Sequence, residues 1–173
     1  MSAMTLIQTV TLTSDQATIT FSSIPQTFTD LYLVVSARSS SSAGAVFLCR
    51  LNSDANNHSS RLLEGNGSSA SSTSTSIARA GQVNFQASTA NTFGNIAVYI
   101  PNYRLSQSKS FSSDAVTENN GTLAIADINA VLYTQTAAVT SIQLAVSSAG
   151  FAANSSASLY GITSGSSGGV VVS

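Results

Sequence analysis

The chain of 173 residues carries six Lys and Arg against seven Asp and Glu, for a net charge of −1, and only 8% of its positions are charged, where about 25% is usual. Its one lysine and five arginines, the latter scattered at 38, 50, 61, 79 and 104, form no basic stripe that could release counterions from a phosphate backbone, which excludes nucleic acid as a partner. No apolar run approaches the roughly 20 residues of a helical membrane span, so no membrane partner is expected.

One domain is the default for this length. With 34 Ser and 18 Thr, its surface is coated with neutral hydroxyls. Such a surface repels neighbouring copies weakly and costs little to desolvate, which favours packing into assemblies.

In chain order, the opening MSAMTLIQTV has no basic region, no apolar stretch of signal-peptide length and no small-residue cleavage site, and predicts synthesis in a cytoplasm. Strands are predicted at 5–13 and 17–22, separated by the Ser14-Asp15 turn and followed by Ile24-Pro25. Leu31, Leu33, Val35 and Ala37 then alternate with Tyr32, Val34, Ser36 and Arg38, the period of two of a half-buried strand. Ala45, Phe47, Cys49 and Leu51 form the apolar face of the next one. The lone Cys49 allows no intrachain disulfide and reads as a buried hydrophobe.

Residues 52–75, rich in Ser, Asn and Gly, are predicted to be a long surface loop. Further strands follow at 76–85, around Ile96, Val98 and Ile100, at 108–117 and at 122–133, punctuated by Pro101-Asn102 and Asn119-Asn120-Gly121. Within 122–133 the apolar phase passes from Leu123 and Ile125 to Ile128, Ala130 and Leu132. A bulge near Asp127 would keep both halves facing the core, with Asp127 itself outward. Ile142, Leu144 and Val146 mark another strand, and 156–162 the last.

The pattern predicts an all-β fold, a single antiparallel β-sandwich or jelly-roll-like domain of about ten strands spanning 1–162. A Ser/Gly-rich arm at 163–173 follows it. Val170, Val171 and Val172 form an odd apolar cluster at the end of that arm, suited to adding an edge strand to a neighbouring subunit.

Chemistry is sparse. His58 is the only histidine, and although Asp54 and Ser59 are close by in sequence, a catalytic triad converges from distant elements; the residue reads as a solvated or interface histidine. Asp54 stands as one carboxylate among Ser53, Asn56 and Asn57, too few strong ligands for Zn²⁺ or Ca²⁺. Glu64, Asp114, Glu118 and Asp127 read as solvated acids, with a carboxylate pair for polysaccharide cleavage as the remaining alternative, since pairing is a spatial property that strand spacing does not reveal. No nucleophile elbow, phosphate loop, dinucleotide fingerprint or CxxC occurs. The expectation is a protein that is no enzyme and uses no cofactor and no metal. Asn57, Asn66, Asn120 and Asn154 head sequons that a Ser/Thr-rich chain generates by chance. Tyr32, Tyr99, Tyr103, Tyr133 and Tyr160 are expected at sheet edges or subunit contacts, with a sugar-stacking platform on one sheet as the alternative.

Three segments carry a family resemblance: FSSIPQTFTDLYLVVSARSS at 21–40, FLCRLNSDANNHSSRLL at 47–63 and SASLYGI at 156–162. Together they resemble small virion proteins of tailed bacteriophages, in which a strand pair of the form IP.T..DL.L is followed by an Asn/Asp-rich loop, a middle segment with Tyr and Lys, and a closing LYGI strand. The chain departs from that pattern at His58, where an aromatic is common, and in the tail after Ile162. The resemblance implies a structural role, a capsid cement or decoration protein on the head lattice. Its expected partners are itself, as a homo-oligomer with a trimer favoured, and a major capsid protein. Asn57, His58 and Val170–Val172 are the candidate assembly contacts. The alternative is a tail or host-attachment module that binds cell-surface glycans.

Overall fold

Alternating apolar residues, β-branched enrichment and frequent turn residues leave strands as the favoured regular structure. The computed structural model describes residues 4–121 and 124–163. Among these residues there are twelve strands and no helix. They are β1 (Met4–Thr11), β2 (Thr18–Phe21), β3 (Asp30–Ala37), β4 (Ala45–Leu51), β5 (His58–Gly65), β6 (Ala70–Thr75), β7 (Arg79–Val83), β8 (Gly94–Ile100), β9 (Lys109–Val116), β10 (Ala126–Tyr133), β11 (Ile142–Val146) and β12 (Ser156–Ile162).

All pairings between these strands are antiparallel. They build an eight-stranded sheet in the order β1-β12-β3-β8-β9-β10-β5-β6 and a four-stranded sheet in the order β2-β11-β4-β7. Strand β7 packs across the sandwich on β8, β9 and β10. Between the sheets lie the predicted inward faces: Leu31, Leu33 and Val35, then Phe47, Cys49 and Leu51, then Ile96, Val98 and Ile100, with Ile142 and Leu144, all fully buried. Of the edge strands of the larger sheet, β6 is exposed along nearly its whole length, and β1 is exposed except at Ile7 and Val10, which pack against the core.

Asparagine makes many of the turns: Asn52, Asn57, Asn91, Asn102, Asn120 and Asn154 all hold positive φ, a conformation that its short polar side chain tolerates better than most. Close approach requires glycine at several positions, two of them in the sheets. Gly81, at φ 141°, lies where a Cβ would come within 2.6 Å of the Ala115 Cβ, so the irregularity at which β7 meets β4 needs it. Gly161 lies flat under the Phe28 ring, which a Cβ would penetrate at 2.2 Å.

The structure corrects several expectations. Residues 52–75 are not a long loop: β5 and β6 occupy most of the segment, and their Ser/Thr content marks a sheet edge rather than a coil. There is no bulge near Asp127, because β10 pairs without a register shift with both β5 and β9. The unbroken period of two therefore turns Asp127, Asn129, Val131 and Tyr133 inward and Ile128, Ala130 and Leu132 outward, opposite to the predicted phase. Tyr103 and Tyr133 are buried rather than wet.

Lys109 is buried as completely as the apolar core. Its ammonium donates to the carbonyls of Leu105 at 2.8 Å, Gln107 at 2.6 Å, Thr136 at 2.9 Å and Ala137 at 2.7 Å, tying the 101–108 loop to the 134–141 loop. Burial pulls the amine below its ordinary value, while the four carbonyl dipoles favour the charged form. Replacing Lys109 by Met leaves those carbonyls without their donor and should cost about 3 kcal/mol or more in denaturant unfolding. Leu33→Ala should cost roughly 2 to 5 kcal/mol. A loss below about 1 kcal/mol in either variant would contradict the burial described.

Candidate assembly interface

The four-stranded sheet covers one face of the eight-stranded sheet; the other, outer face is bare. Ten large apolar side chains are exposed among the described residues, and eight of them, Met4, Leu6, Val34, Leu63, Tyr99, Val116, Ile128 and Leu132, lie on this face. Leu63 (56% exposed) and Ile128 (64%) are direct cross-strand partners, and Val116 (43%) faces Ala126 across the next pair. With Ala70 they line a shallow groove of about 310 Å³. Soluble sandwiches usually present polar residues outward, so this clustered apolar face is the candidate surface for an interaction.

The outer face also gathers aromatics. Tyr160 pairs with Tyr32, and Tyr32 with Tyr99, in one row across β12, β3 and β8. The Tyr99 hydroxyl donates to Asp30 Oδ2 at 2.9 Å. Tyr103 and Tyr133 are not part of the row. Tyr103 is in the core with its hydroxyl donating to the Pro25 carbonyl, and Tyr133 stacks on His58 with ring centroids 4.6 Å apart and planes 23° from parallel.

His58 is therefore a buried ring stacked on an aromatic neighbour, not a solvated one. Its two nitrogens are both engaged: Nδ1 lies 2.6 Å from the Asn56 carbonyl, and Nε2 accepts the Leu51 amide at 3.4 Å. This fixes the Nδ1-protonated neutral tautomer. No nitrogen remains for a substrate proton or a metal. Asn57, the other loop candidate, is exposed at φ 56°. Its side chain donates to Asp54 Oδ2 at 2.8 Å, and Asp54 Oδ1 accepts the Asn56 amide at 2.8 Å, so the Asp54 carboxylate serves its own turn. Hydrogen bonds from Asn57 and Asn56 hold it below its ordinary value.

Two of the acids expected in solvent instead form an inter-sheet cluster. Arg79 Nη2 on β7 reaches Glu64 at 2.7 Å and Asp127 at 3.5 Å, two carboxylates directly opposite each other on β5 and β10. Gln82 donates to the same Glu64 oxygen at 2.9 Å, and Asn129 donates to Asp127 at 3.1 Å. Burial raises the Asp127 carboxyl, with Asn129 and Arg79 opposing. The cluster carries a carboxylate pair, but the Asp127 side chain has no exposed surface and offers a substrate no access. Burial pushes the Cys49 thiol up to about 12, which keeps it protonated and inert. Among the described residues no group of three or more His, Cys, Asp or Glu converges. Val170, Val171 and Val172 lie outside the described residues.

Sequence reasoning assigned Ile128 and Leu132 to the core and left Leu63 unremarked. The available signal was adjacency: Val34-Val35, Leu62-Leu63 and Val131-Leu132 are neighbouring apolar pairs, and in a strand each pair must present one member to each face.

Burial, the largest influence, holds His58 below its ordinary 6.5, with the Asn56 carbonyl opposing. Above 6.5 both folded and unfolded chains hold the ring neutral. Below it the unfolded chain takes up a proton that the folded one refuses, so stability is lost as pH falls through this window. Asp127, whose carboxyl is raised, acts in the opposite sense. Between pH 7.5 and pH 5 the melting temperature of the wild-type chain should therefore fall relative to that of His58→Gln; parallel profiles for the two chains would refute the assignment. Comparison with known protein families, with curated proteins and with solved structures finds no match to this chain.

Proposed function

We propose that this chain is a non-enzymatic structural protein of a virion, a capsid cement or decoration protein of a tailed bacteriophage. It is assembled in the host cytoplasm and held on the head lattice as a homo-oligomer against a major capsid protein. The observation that carries the reading is the bare, apolar and almost uncharged outer face of the eight-stranded sheet. A broad sheet face of this kind suits permanent contact, since interfaces are depleted in charge and enriched in aromatic residues. The resemblance supports it as well, because residues in the segments that carry it serve architecture: the Pro25 carbonyl accepts the Tyr103 hydroxyl, and Phe28 packs over Gly161.

A second reading, a tail or host-attachment module for cell-surface glycans, is favoured by the row of Tyr160, Tyr32 and Tyr99, whose rings offer faces for sugar stacking.

Quantitative mass spectrometry of purified particles separates the two. Copies in the hundreds on heads emptied of DNA are expected; a handful confined to isolated tails would favour the glycan reading, and absence from particles would sink both. The arm at 163–173 belongs to the first proposal. Deleting it should leave the melting temperature within about 2 °C of the full chain while loosening retention on particles. Unchanged retention would remove the arm from the account.

A further inference from the structure

We infer that the outer face of the eight-stranded sheet is a two-fold contact between two copies of this chain; this rests on reading that face as the assembly surface. Size comes first. Eight strands at about 4.8 Å by some seven residues at about 3.3 Å span roughly 900 Å². Two thirds of that area, covered on each of two copies, reaches the roughly 1,200 Å² at which specific interfaces begin.

Charge decides the occupant. Besides Asp30 at the end of β3, which is engaged by Tyr99 and by the Asn102 amide, the strand residues of this face carry two charges, Arg61 on β5 and Asp114 on β9. Neither forms an ion pair among the described residues. They flank β10 on opposite sides: Arg61 is level with Ala130, and Asp114 with Ile128. A two-fold axis lying between two facing sheets, over β10 between Ile128 and Ala130, sets Arg61 of each copy against Asp114 of the other. The contact is thus self-complementary, as an isologous interface requires. Ile128, the most exposed of the large apolar side chains, lies beside that axis, where the centre of an interface holds its best-buried anchors. A two-fold contact closes at two copies, so the unit is a dimer and not the trimer that the sequence led one to expect.

Sedimentation velocity of the full chain at micromolar concentration tests this. The wild-type chain should sediment at twice its 17.6 kDa mass. Ile128→Lys should sediment as a monomer with unchanged circular dichroism, since the side chain is exposed in the single copy. Leu63→Glu provides the same test at a second position. Arg61→Asp and Asp114→Arg should each weaken the dimer about tenfold or more, and the two together should restore it to within about threefold of wild type. A monomeric wild-type chain, a dimer indifferent to Ile128→Lys and Leu63→Glu, or a double exchange that fails to restore association would each overturn the inference. A monomer that still co-purifies with particles would sink the two-fold contact and leave the proposed function standing; a dimer absent from particles would do the reverse.

Discussion

Eight strands are covered by four. That mismatch is the constraint on which the rest of the molecule depends. A sheet buries one face against a partner layer to form a core, and here β2, β11, β4 and β7 supply that layer while leaving the opposite face of the larger sheet without one. The hydrophobic residues that fill the core are aligned along the inward positions of both sheets, and burial of that area is the dominant favourable contribution to folding. The outward positions of the larger sheet were free to be polar, yet Val34, Leu63, Val116 and Ile128 stand there. A strand that places apolar residues on both faces departs from the pattern of an independent sandwich, and such departures mark functional surfaces.

The scarcity of charge acts on the inside as well as the outside. Three of the six cations are spent holding backbone or bridging sheets. Lys109 joins two loops through four carbonyls. The Arg38 guanidinium gathers the 86–92 loop by donating to the carbonyls of Gln86, Ser88, Thr89 and Thr92. Arg79 links the two sheets through Glu64 and Asp127. Charged donors bind carbonyls more strongly than neutral ones do, so a few of them stabilise long connections in a chain with no disulfide among its described residues. What remains for the outer sheet face is nearly neutral, with Arg61 and Asp114 as isolated opposite charges. Neutrality lowers the cost of desolvating that face, and the two charges give it an orientation.

Several residues near the ends of β3, β4 and β12 pin the loops of the sandwich. Ile24 is buried and the Pro25 carbonyl accepts the Tyr103 hydroxyl; Thr29 donates to the Ile162 carbonyl at 2.8 Å, and Asp30 accepts the Asn102 amide at 2.8 Å. Asn52 spans the loops at one end of the sandwich, donating to the Ala138 carbonyl and accepting the Thr140 amide. The polar groups among them are engaged in hydrogen bonds within the fold. They fix where loops leave the strands and so hold the sheet faces in place.

Sequence by itself determined the all-β class, most strand positions and the inward faces of β3, β4, β8 and β11, because alternation with period two needs only local spacing to be read. It also determined that the surface is weakly charged and that Cys49 is buried. Which face of β10 points inward was decided by tertiary pairing. Ile128, Ala130 and Leu132 are as apolar as Val131 and Tyr133, so composition favours neither phase, and only the unbroken register with β5 and β9 turns Asp127 toward Arg79 and Asn129 inward beside it. The same holds for β5 and β6, whose Ser and Thr residues read as loop until they are paired with a neighbour. His58 likewise looks solvated in a run of Asn and Ser, and becomes a core ring only when Tyr133, 75 residues away, is brought against it. Local spacing sets which residues can share a face; long-range pairing chooses which face meets the core, because a shift of one residue exchanges the two faces at no local cost.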